Sequence, residues 1–185
     1  MNFQDAINAQ NSGNLKKADK IYKKLLNQYP NNFEILFNCA VLHFNLKNYI
    51  KSEDLFKKAI LLNNNNHQIY NGYGVLLKEL NKDEEAAINF YKSIEIKEDY
   101  LSAYLNLFQI YKKYSNQKEM LKIIDKIISL KPNFPIMYHE KASILQDLGK
   151  FDEVINTIET VFKYEEDSIE NYFRLYDVYE EKKKS

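Results

Sequence analysis

The stretch NFEILFNCAVLHFNLKNYIKSEDLFKKAILLNNN, Asn32–Asn65, decides the fold because the chain repeats its pattern at a fixed period. Similar runs start at Asn66, Tyr100 and Phe134, so three successive steps are each 34 residues long and need no gap. Residues 1–31 fit the same frame as a repeat without its first residues. A constant period of this length indicates an array of identical supersecondary units.

Each repeat carries two helical stripes of apolar or small residues. In the quoted stretch, Leu36, Cys39, Ala40 and His43 follow the i, i+3, i+4, i+7 spacing of one helix face. A second stripe begins at Tyr49. Small residues recur where the two helices of a repeat must approach closely: Ala40, Gly74 and Ala142 on the first helix, and Ala18, Ser52 and Ala86 on the second. The pattern predicts a helix–turn–helix unit.

Turn residues fall at matching places in the frame. Gly13 and Gly149 occupy the turn within a repeat, where a left-handed residue commonly ends a helix. The asparagine run NNNN, 63–66, occupies the place between repeats that KPNF fills at 131–134. Asparagine tolerates the left-handed conformation and bonds its own backbone, so it can end a helix where proline is absent. We therefore interpret the run as a turn and not as a linker between domains.

These features together resemble the tetratricopeptide repeat family. Its pattern has an aromatic residue or leucine early in the first helix, and here stand Leu36, Tyr70, Tyr104, Tyr138 and Tyr172. The resemblance covers essentially the whole chain and implies an all-α, right-handed α-solenoid. We expect a single array over 1–185, with repeats at about 1–32, 33–66, 67–100, 101–134 and 135–168 and a capping helix at 169–183.

Two parts of the chain depart from the family pattern. The fourth repeat carries Phe108 and Met120 where small residues are usual and lacks the turn glycine, so we expect its helix geometry to change around 101–130. The last helix has no partner helix within the chain. We expect its stripe of Tyr172, Leu175, Tyr176 and Tyr179 to pack on the preceding repeat, with a polar end that acts as a solubilising cap.

Composition excludes several classes of function. Lys+Arg and Asp+Glu both number 26, so the net charge is zero and the basic footprint of a nucleic-acid binder is missing. The sequence contains no window of 18 apolar residues without charge, so it does not predict a membrane-spanning helix. The N-terminus does not resemble a signal peptide. Cys39 is the only cysteine, which fits a reducing compartment. We expect a cytoplasmic protein.

No pattern in the sequence predicts chemistry. The three histidines, His43, His67 and His139, are far apart in the frame, and no His or Cys pair has zinc-finger spacing. Phosphate-binding loops and hydrolase motifs do not occur. The sequence therefore predicts no catalytic residue, no metal site and no cofactor, and we expect that the chain is not an enzyme.

In the family that the chain resembles, the first helix of each repeat lines a concave groove. Reading the outward-facing positions predicts a peptide-binding groove with apolar and amide side chains: Phe37, Asn38, Val41, Asn71, Val75, Leu105, Asn106 and Gln109. An amide offers a donor and an acceptor, which suits an extended peptide backbone. Further along, the outward positions are mostly charged or polar: Lys112, His139, Glu140, Ser143, Asp147, Arg174, Asp177 and Glu180.

Two family sub-types can be tested against these positions. Chaperone adaptors grip a terminal carboxylate with a set of Lys, Asn and Arg residues, but only Asn38 matches that set, so we reject the carboxylate clamp. The asparagine ladder of the O-linked N-acetylglucosamine transferase repeats is partial. Asn38 and Asn106 occupy ladder places, and other residue types interrupt them.

The leading hypothesis is a non-catalytic scaffold that holds a partner peptide or helix in its groove. Because apolar and amide contacts dominate the predicted groove, we expect a modest dependence of binding on salt. One alternative is a substrate-presenting arm of a larger glycosyltransferase-type enzyme, since the N-terminal stretch is similar to repeats that precede such catalytic domains. A second alternative is self-association through an exposed end or through the groove.

Overall fold

A computed structural model describes residues 2–165 and 168–184, which fall into two compact units, Met1–Ala103 and Tyr104–Ser185. All regular secondary structure in these residues is helical. The predicted all-α fold of helix–turn–helix repeats is therefore confirmed. The extent of the array as a single body over 1–185 stays a prediction, and residues 1, 166–167 and 185 of it lie outside the described residues.

The first unit contains three helix pairs. The pairs are α1 (Phe3–Asn11) with α2 (Leu15–Gln28), α3 (Phe33–Asn45) with α4 (Tyr49–Leu62), and α5 (His67–Glu79) with α6 (Asp83–Ile96). The seventh helix, α7 (Leu101–Lys113), begins in this unit. Each pair packs as one repeat, and α2 also contacts α3, as α4 contacts α5.

The second unit starts within α7 and continues with four helices. These are α8 (Gln117–Leu130), α9 (Pro135–Asp147), α10 (Phe151–Val161) and α11 (Ile169–Lys184). Helices α9 and α10 form a pair, and α11 packs on α10. The core between these helices contains Ala142, Leu145, Val154, Ile158 and Val178, all fully or almost fully buried.

Small and large side chains interlock inside each repeat of the first unit. The aromatic rings of Tyr22, Phe56 and Phe90 are fully buried and occur one per repeat, 34 residues apart. A Cβ atom added at Gly74 would lie only 2.6 Å from Cε1 of Phe90, so the ring fills the space that a side chain there would need. The small residues that the sequence places at the helix contacts therefore have a direct steric cause.

The backbone marks the 34-residue period at the turn within each repeat. Residues 13, 47, 81, 115 and 149 all have left-handed φ angles: Gly13 77°, Lys47 57°, Asn81 59°, Ser115 51° and Gly149 69°. In each case the next N–H group bonds a carbonyl five residues earlier, as Asn14 does with Ala9 at 2.9 Å. The predicted role of Gly13 and Gly149 is confirmed, and Ser115 takes the same conformation in the repeat without a turn glycine.

The asparagine run 63–66 is a turn between α4 and α5, as predicted. The left-handed part of the explanation is wrong, because only Lys47, Asn81 and Ser115 among the described non-glycine residues have positive φ. The side chains of the run act instead. Asn63 Oδ1 accepts from the N–H of Asn65 at 3.1 Å, and Asn66 Oδ1 accepts from two N–H groups in the first turn of α5 at 2.9 and 3.2 Å. The run combines an Asx turn with a helix N-cap.

Replacing Asn66 with alanine is expected to lower the free energy of unfolding by about 1 kcal/mol, because two N–H groups of α5 lose their acceptor. Asn64→Ala is the matched control, since Asn64 is an exposed residue of the same turn, and it should change stability by less than about 0.5 kcal/mol. Urea denaturation followed by circular dichroism measures both values. Equal losses in the two variants would contradict the capping role.

In the fourth repeat, the two bulky residues that stand where small residues are usual are buried. Phe108 and Met120 are each 6% exposed. On the second helix of this repeat the usual aromatic residue is replaced by Ile124, which is fully buried. A larger residue on one helix therefore accompanies a smaller residue on the other. The predicted change of helix geometry around 101–130 stays a prediction.

The packing predicted for the last helix is wrong for Tyr176 and Tyr179, which are exposed. Tyr172 is largely exposed as well, but its ring packs against Phe162 of the preceding repeat with 4.7 Å between ring centroids. Leu175 packs against the core, as predicted, and Val178 is fully buried. The predicted stripe is the face that, in complete repeats, meets the second helix of the same repeat. No such helix follows α11 in the described part of the chain, so this face lies open.

Candidate functional site

The predicted binding residues lie on the first helices of the repeats. We call the outward surface of these helices the first-helix face of each unit. It is formed by α1, α3 and α5 in the first unit and by α7 from Tyr104 onward, α9 and α11 in the second. The two units are compact separately, so each unit has a first-helix face of its own.

On the first unit the predicted apolar residues are half-buried. Val41 and Val75 lie on α3 and α5 and are partly open to solvent, as is Asn71 on α5. Phe37 has a second role, because its ring packs edge-on against Phe56 with 6.1 Å between ring centroids. Phe37 therefore supports the repeat core as well as contributing to the surface.

The partial asparagine ladder has a steric explanation in this unit. Asn38 is half-buried, and its Nδ2 donates to the carbonyl of Glu34 at 2.8 Å, which fixes the direction of the amide. The next ladder place holds Gly72. A Cβ atom there would lie 2.9 Å from Cε1 of Phe56 and 3.3 Å from Cε2 of Phe37. The two rings leave no room for an asparagine side chain at Gly72.

The remaining predicted residues lie on α7, in the second unit. Leu105 and Asn106 are half-buried and Gln109 is exposed. None of these three side chains lines the pocket that dominates the first-helix face of this unit. The binding role of all eight predicted residues stays a prediction.

An open pocket of about 870 Å³ lies on the first-helix face of the second unit. It combines side chains of α7, α9 and α11 with residues of the segment before α11. We call it the charged pocket. Its lining residues are Lys112, Ile136, His139, Glu140, Ser143, Glu165, Ser168, Glu170 and Arg174. Six of these nine carry charge or can acquire it, and the pocket has the volume of typical ligand sites.

Ion pairs and hydrogen bonds join the helices around the charged pocket. Lys112 of α7 forms an ion pair with Glu140 of α9. Nε2 of His139 lies 3.3 Å from Oε2 of Glu165, and the same carboxylate oxygen accepts from Nδ2 of Asn171 at 3.3 Å. Because Asn171 is fully buried, it anchors Glu165 from inside the fold.

Arg174 is the cation best placed to bind a ligand. Its Nη2 donates to Oγ of Ser143 at 2.7 Å, and within the described residues it makes no ion pair with a carboxylate. Burial lowers the pKa of Arg174, and the nearby charge of Glu170 opposes that shift. A half-buried guanidinium held by a neutral hydroxyl keeps its other donors for a carboxylate or phosphate.

Part of the charged pocket could be predicted from the sequence. Lys112, His139, Glu140, Ser143 and Arg174 were predicted to face outward, and the structure brings these five together. Ile136 and Glu170 were missed, although they occupy the places of Glu34 and Gln68 in the same frame. Glu165 and Ser168 were also missed, because they belong to the connection before α11, where the helical period carries no information.

Groups that could hold a metal ion do not gather in the described residues. No cluster of three or more His, Cys, Asp or Glu side chains there has the geometry of a metal site. Cys39 is fully buried, and burial raises the pKa of its thiol to about 11. The thiol is therefore protonated at neutral pH and unreactive. No described helix is both long and apolar enough to cross a bilayer.

A buried polar cluster lies between α2 and α3. His43 is 4% exposed, and its Nε2 lies 3.4 Å from Oδ1 of Asp19. The other carboxylate oxygen of Asp19, Oδ2, lies 2.5 Å from Nζ of Lys23. Neither ring nitrogen of His43 makes a hydrogen bond with a described residue, and the same holds for the hydroxyl of the buried Tyr22. Burial lowers the pKa of His43, with a further contribution from the charge of Lys51, and outweighs the opposing effect of Asp19.

Stability is therefore expected to fall as the pH drops below about 6.5, the ordinary pKa of histidine. The unfolded chain takes up the proton first because the folded pKa of His43 is lower, so acid favours unfolding. The equivalent places in other repeats hold the buried Leu77 and Leu145, so His43→Leu should fold.

The measurement for this prediction is the free energy of unfolding between pH 7.5 and 5.5. His43→Leu should reduce the loss of stability in acid, and His67→Gln should remove the share due to His67, whose pKa burial also lowers. One group can contribute up to about 1.4 kcal/mol per pH unit inside its window. An unchanged pH slope in His43→Leu would show that the buried histidine does not cause it.

Comparison with known proteins supports the repeat fold. The family model described as the Tetratricopeptide repeat protein 21 N-terminal ARM repeat matches residues 11–155. No curated protein matches the chain. Proteins of this scaffold type generally mediate protein–protein interactions.

Solved structures match over most of the chain. MamA is 22% identical, with 90% of this chain and 96% of MamA covered and a TM-score of 0.76. The pilF protein of Pseudomonas aeruginosa is 18% identical, with 96% and 82% covered and a TM-score of 0.75. YrrB, described as a TPR protein with an unusual peptide-binding site, is 17% identical, with 88% and 84% covered and a TM-score of 0.70. At these identities the likeness shows the fold alone.

Proposed function

The chain belongs to the family described as the Tetratricopeptide repeat protein 21 N-terminal ARM repeat, and from this we propose that it is a non-catalytic scaffold. In this proposal the chain binds a partner peptide or helix on its first-helix faces. The observation that carries this proposal is the charged pocket of about 870 Å³, which three first helices of the second unit line together. A pocket of this size accepts several residues of a partner chain.

The chemistry of the charged pocket favours a polar partner segment with an acidic side chain. Arg174 binds a carboxylate of that segment through the guanidinium donors that Ser143 leaves unused. The pocket carboxylates, of which Glu170 is one, accept from backbone N–H groups or from a lysine of the partner. Ile136, which is 60% exposed, supplies apolar contact beside these charges.

The first-helix face of the first unit offers different contacts. The half-buried Val41 and Val75 provide apolar surface, and the amides of Asn38 and Asn71 lie close to them in the helical frame. We assign this face to less polar parts of a partner segment, in line with the predicted groove residues. The description of YrrB as a peptide binder concerns that protein and adds plausibility to the same use of the fold here.

The experiment that tests the proposal is selection of peptides from a displayed random library with the whole chain as target. Selected peptides are then titrated calorimetrically against wild type and against Val75→Asp and Arg174→Ala, with circular dichroism as the check on folding. The proposal expects that every selected peptide loses affinity at least about tenfold in one of the two variants. Peptides that bind both variants as tightly as wild type would refute it.

The predicted cytoplasmic location stays a prediction. It rests on the single cysteine and on the N-terminal sequence, neither of which the structure tests.

A further inference from the structure

A fully buried asparagine, Asn171, lies in the first turn of α11. The same place in the repeat frame is buried and apolar on the first helix of the other repeats, where it holds Ile35, Ile69, Ala103 and Met137. An asparagine is rarely found inside a protein unless its amide has a task there. Helix α11 therefore departs from the frame at a position that packing alone would fill with an apolar residue.

The amide of Asn171 is only partly satisfied. Its Nδ2 donates to Oε2 of Glu165 at 3.3 Å, and its Oδ1 makes no hydrogen bond with a described residue. A buried amide that lacks part of its hydrogen bonds costs stability, and an apolar side chain would avoid this cost. The stability of the fold therefore does not explain Asn171. Its side-chain partner gives another reason, because Glu165 lines the charged pocket.

Glu165 belongs to the connection before α11, where no regular helix fixes the direction of its side chain. Two neighbours hold the carboxylate instead. Nε2 of His139 lies 3.3 Å from Oε2, the same oxygen that accepts from Asn171. Both of these contacts use Oε2, so Oε1 is left as the acceptor for a ligand in the pocket. The side chain is half-buried, which leaves it within reach of that ligand.

The charges around the pocket show which ligand group suits this oxygen. Lys112 and Glu140 neutralise each other in an ion pair. Glu165 and Glu170 form no ion pair with a lysine or arginine of the described residues, and Arg174 is the one other lysine or arginine in the pocket lining. Two carboxylates beside one guanidinium leave an excess of negative charge, which attracts a cationic group.

We propose that Glu165 binds the ammonium group of a lysine in the partner segment, and that Asn171 is the positioning residue that holds this carboxylate in the pocket. The inference rests on the proposed function and specifies its chemistry: the partner carries a basic residue besides the acidic residue that Arg174 binds. Asn171 does not touch the partner itself, because it is fully buried and does not line the pocket. It acts through Oε2 of Glu165.

An amide suits this positioning role because it is a neutral donor. It bonds the carboxylate of Glu165 without cancelling its charge, so the attraction for a partner ammonium is kept. A lysine or arginine at the place of Asn171 would form an ion pair with Glu165 and compete with the ligand. An apolar residue there would leave the carboxylate with His139 as its one neighbour of these two.

Removal of the amide should have opposite effects on stability and on binding. Asn171→Met and Asn171→Ala introduce the residues that Met137 and Ala103 provide at the same place in α9 and α7. The variant that fits better should melt about 2–6 °C above wild type, because the partly satisfied amide is gone. Thermal unfolding followed by circular dichroism measures this shift. Melting temperatures below that of wild type in both variants would show that Asn171 serves the fold and would overturn the positioning role.

Binding is measured calorimetrically with peptides selected on the whole chain that lose affinity in Arg174→Ala. In wild type, exchange of one basic residue of such a peptide for alanine should weaken binding at least about tenfold. The same exchange should change the affinity by less than about threefold in Glu165→Gln and in both Asn171 variants. Met137→Leu is the matched control, since it conserves volume at the same buried place in α9, and it should keep the tenfold effect.

The outcomes distinguish this inference from the proposed function. If no selected peptide loses affinity in Arg174→Ala, the use of the charged pocket in the proposed function fails and the inference fails with it. If such peptides bind but none of their basic residues depends on Glu165, the ammonium site is overturned and the proposed function stands. If the dependence on Glu165 persists in both Asn171 variants, the positioning role of Asn171 is overturned.

Discussion

Replacement of Phe90 with alanine is expected to lower the free energy of unfolding by about 3–5 kcal/mol, among the largest losses that a single substitution in this chain can cause. The ring is fully buried and fills the space left by Gly74 on the facing helix. Its removal takes away apolar burial and leaves a cavity that two helices cannot easily close. Urea denaturation followed by circular dichroism measures the loss, and a value below about 1 kcal/mol would contradict the packing described here.

A double-mutant cycle tests whether Gly74 and Phe90 depend on each other. Gly74→Ala alone should destabilise by about 1–2 kcal/mol although alanine is the better helix former, because its Cβ would press on the ring. In Gly74→Ala combined with Phe90→Ala, the ring is gone and the new methyl group has room. The combined loss should therefore be smaller than the sum of the single losses by at least about 0.5 kcal/mol. Simple additivity would mean that the two residues do not share this space.

Arg174→Ala is expected to weaken binding of an acidic partner peptide by about tenfold to a hundredfold. The guanidinium is the pocket cation without an ion pair among the described residues, and its partial burial strengthens its attraction for a carboxylate. Arg174→Lys should recover only part of the affinity, because an ammonium group cannot reproduce the two parallel hydrogen bonds. Calorimetric titration with a peptide from the display selection measures all three affinities.

Two controls separate this effect from general electrostatics. Lys118→Ala removes an exposed cation on the second helix α8 and should leave the affinity within about twofold. Raising the salt concentration should weaken binding at the charged pocket, in contrast to the modest salt dependence expected for the apolar and amide residues. Equal losses of peptide affinity in Lys118→Ala and Arg174→Ala would show that Arg174 has no specific role in binding.

The repeat frame could be predicted from the sequence because helix contacts and turns recur at constant spacing. Gly13 and Gly149 marked the turn within a repeat, and the structure extends the same left-handed conformation to Lys47, Asn81 and Ser115. Lysine, asparagine and serine adopt positive φ less readily than glycine, so these three residue types do not mark the turn in the sequence as glycine does. The capping by Asn66 was not predicted either, since four adjacent asparagines do not reveal which of them starts the next helix.

Less of the candidate site could be predicted, for two physical reasons. Periodicity shows which side of a helix faces outward but not how neighbouring helices and connections combine, so Glu165 and Ser168 were missed. It also does not distinguish a groove residue from a packing residue, as the contact of Phe37 with Phe56 shows. In α11 the frame wrongly predicted that Tyr176 and Tyr179 are buried, because it assumed contacts that a complete repeat would provide.

Amide chemical shifts of the isotope-labelled chain show where a partner peptide binds, and we propose that it binds on the first-helix faces. On titration with a selected peptide that loses affinity in Arg174→Ala, we expect the largest shift changes in α9 and α11 around the charged pocket, including Ser143, with little change in α8 and α10. Shift changes concentrated on α8 and α10, with Ser143 and Arg174 unaffected, would show that the peptide binds elsewhere.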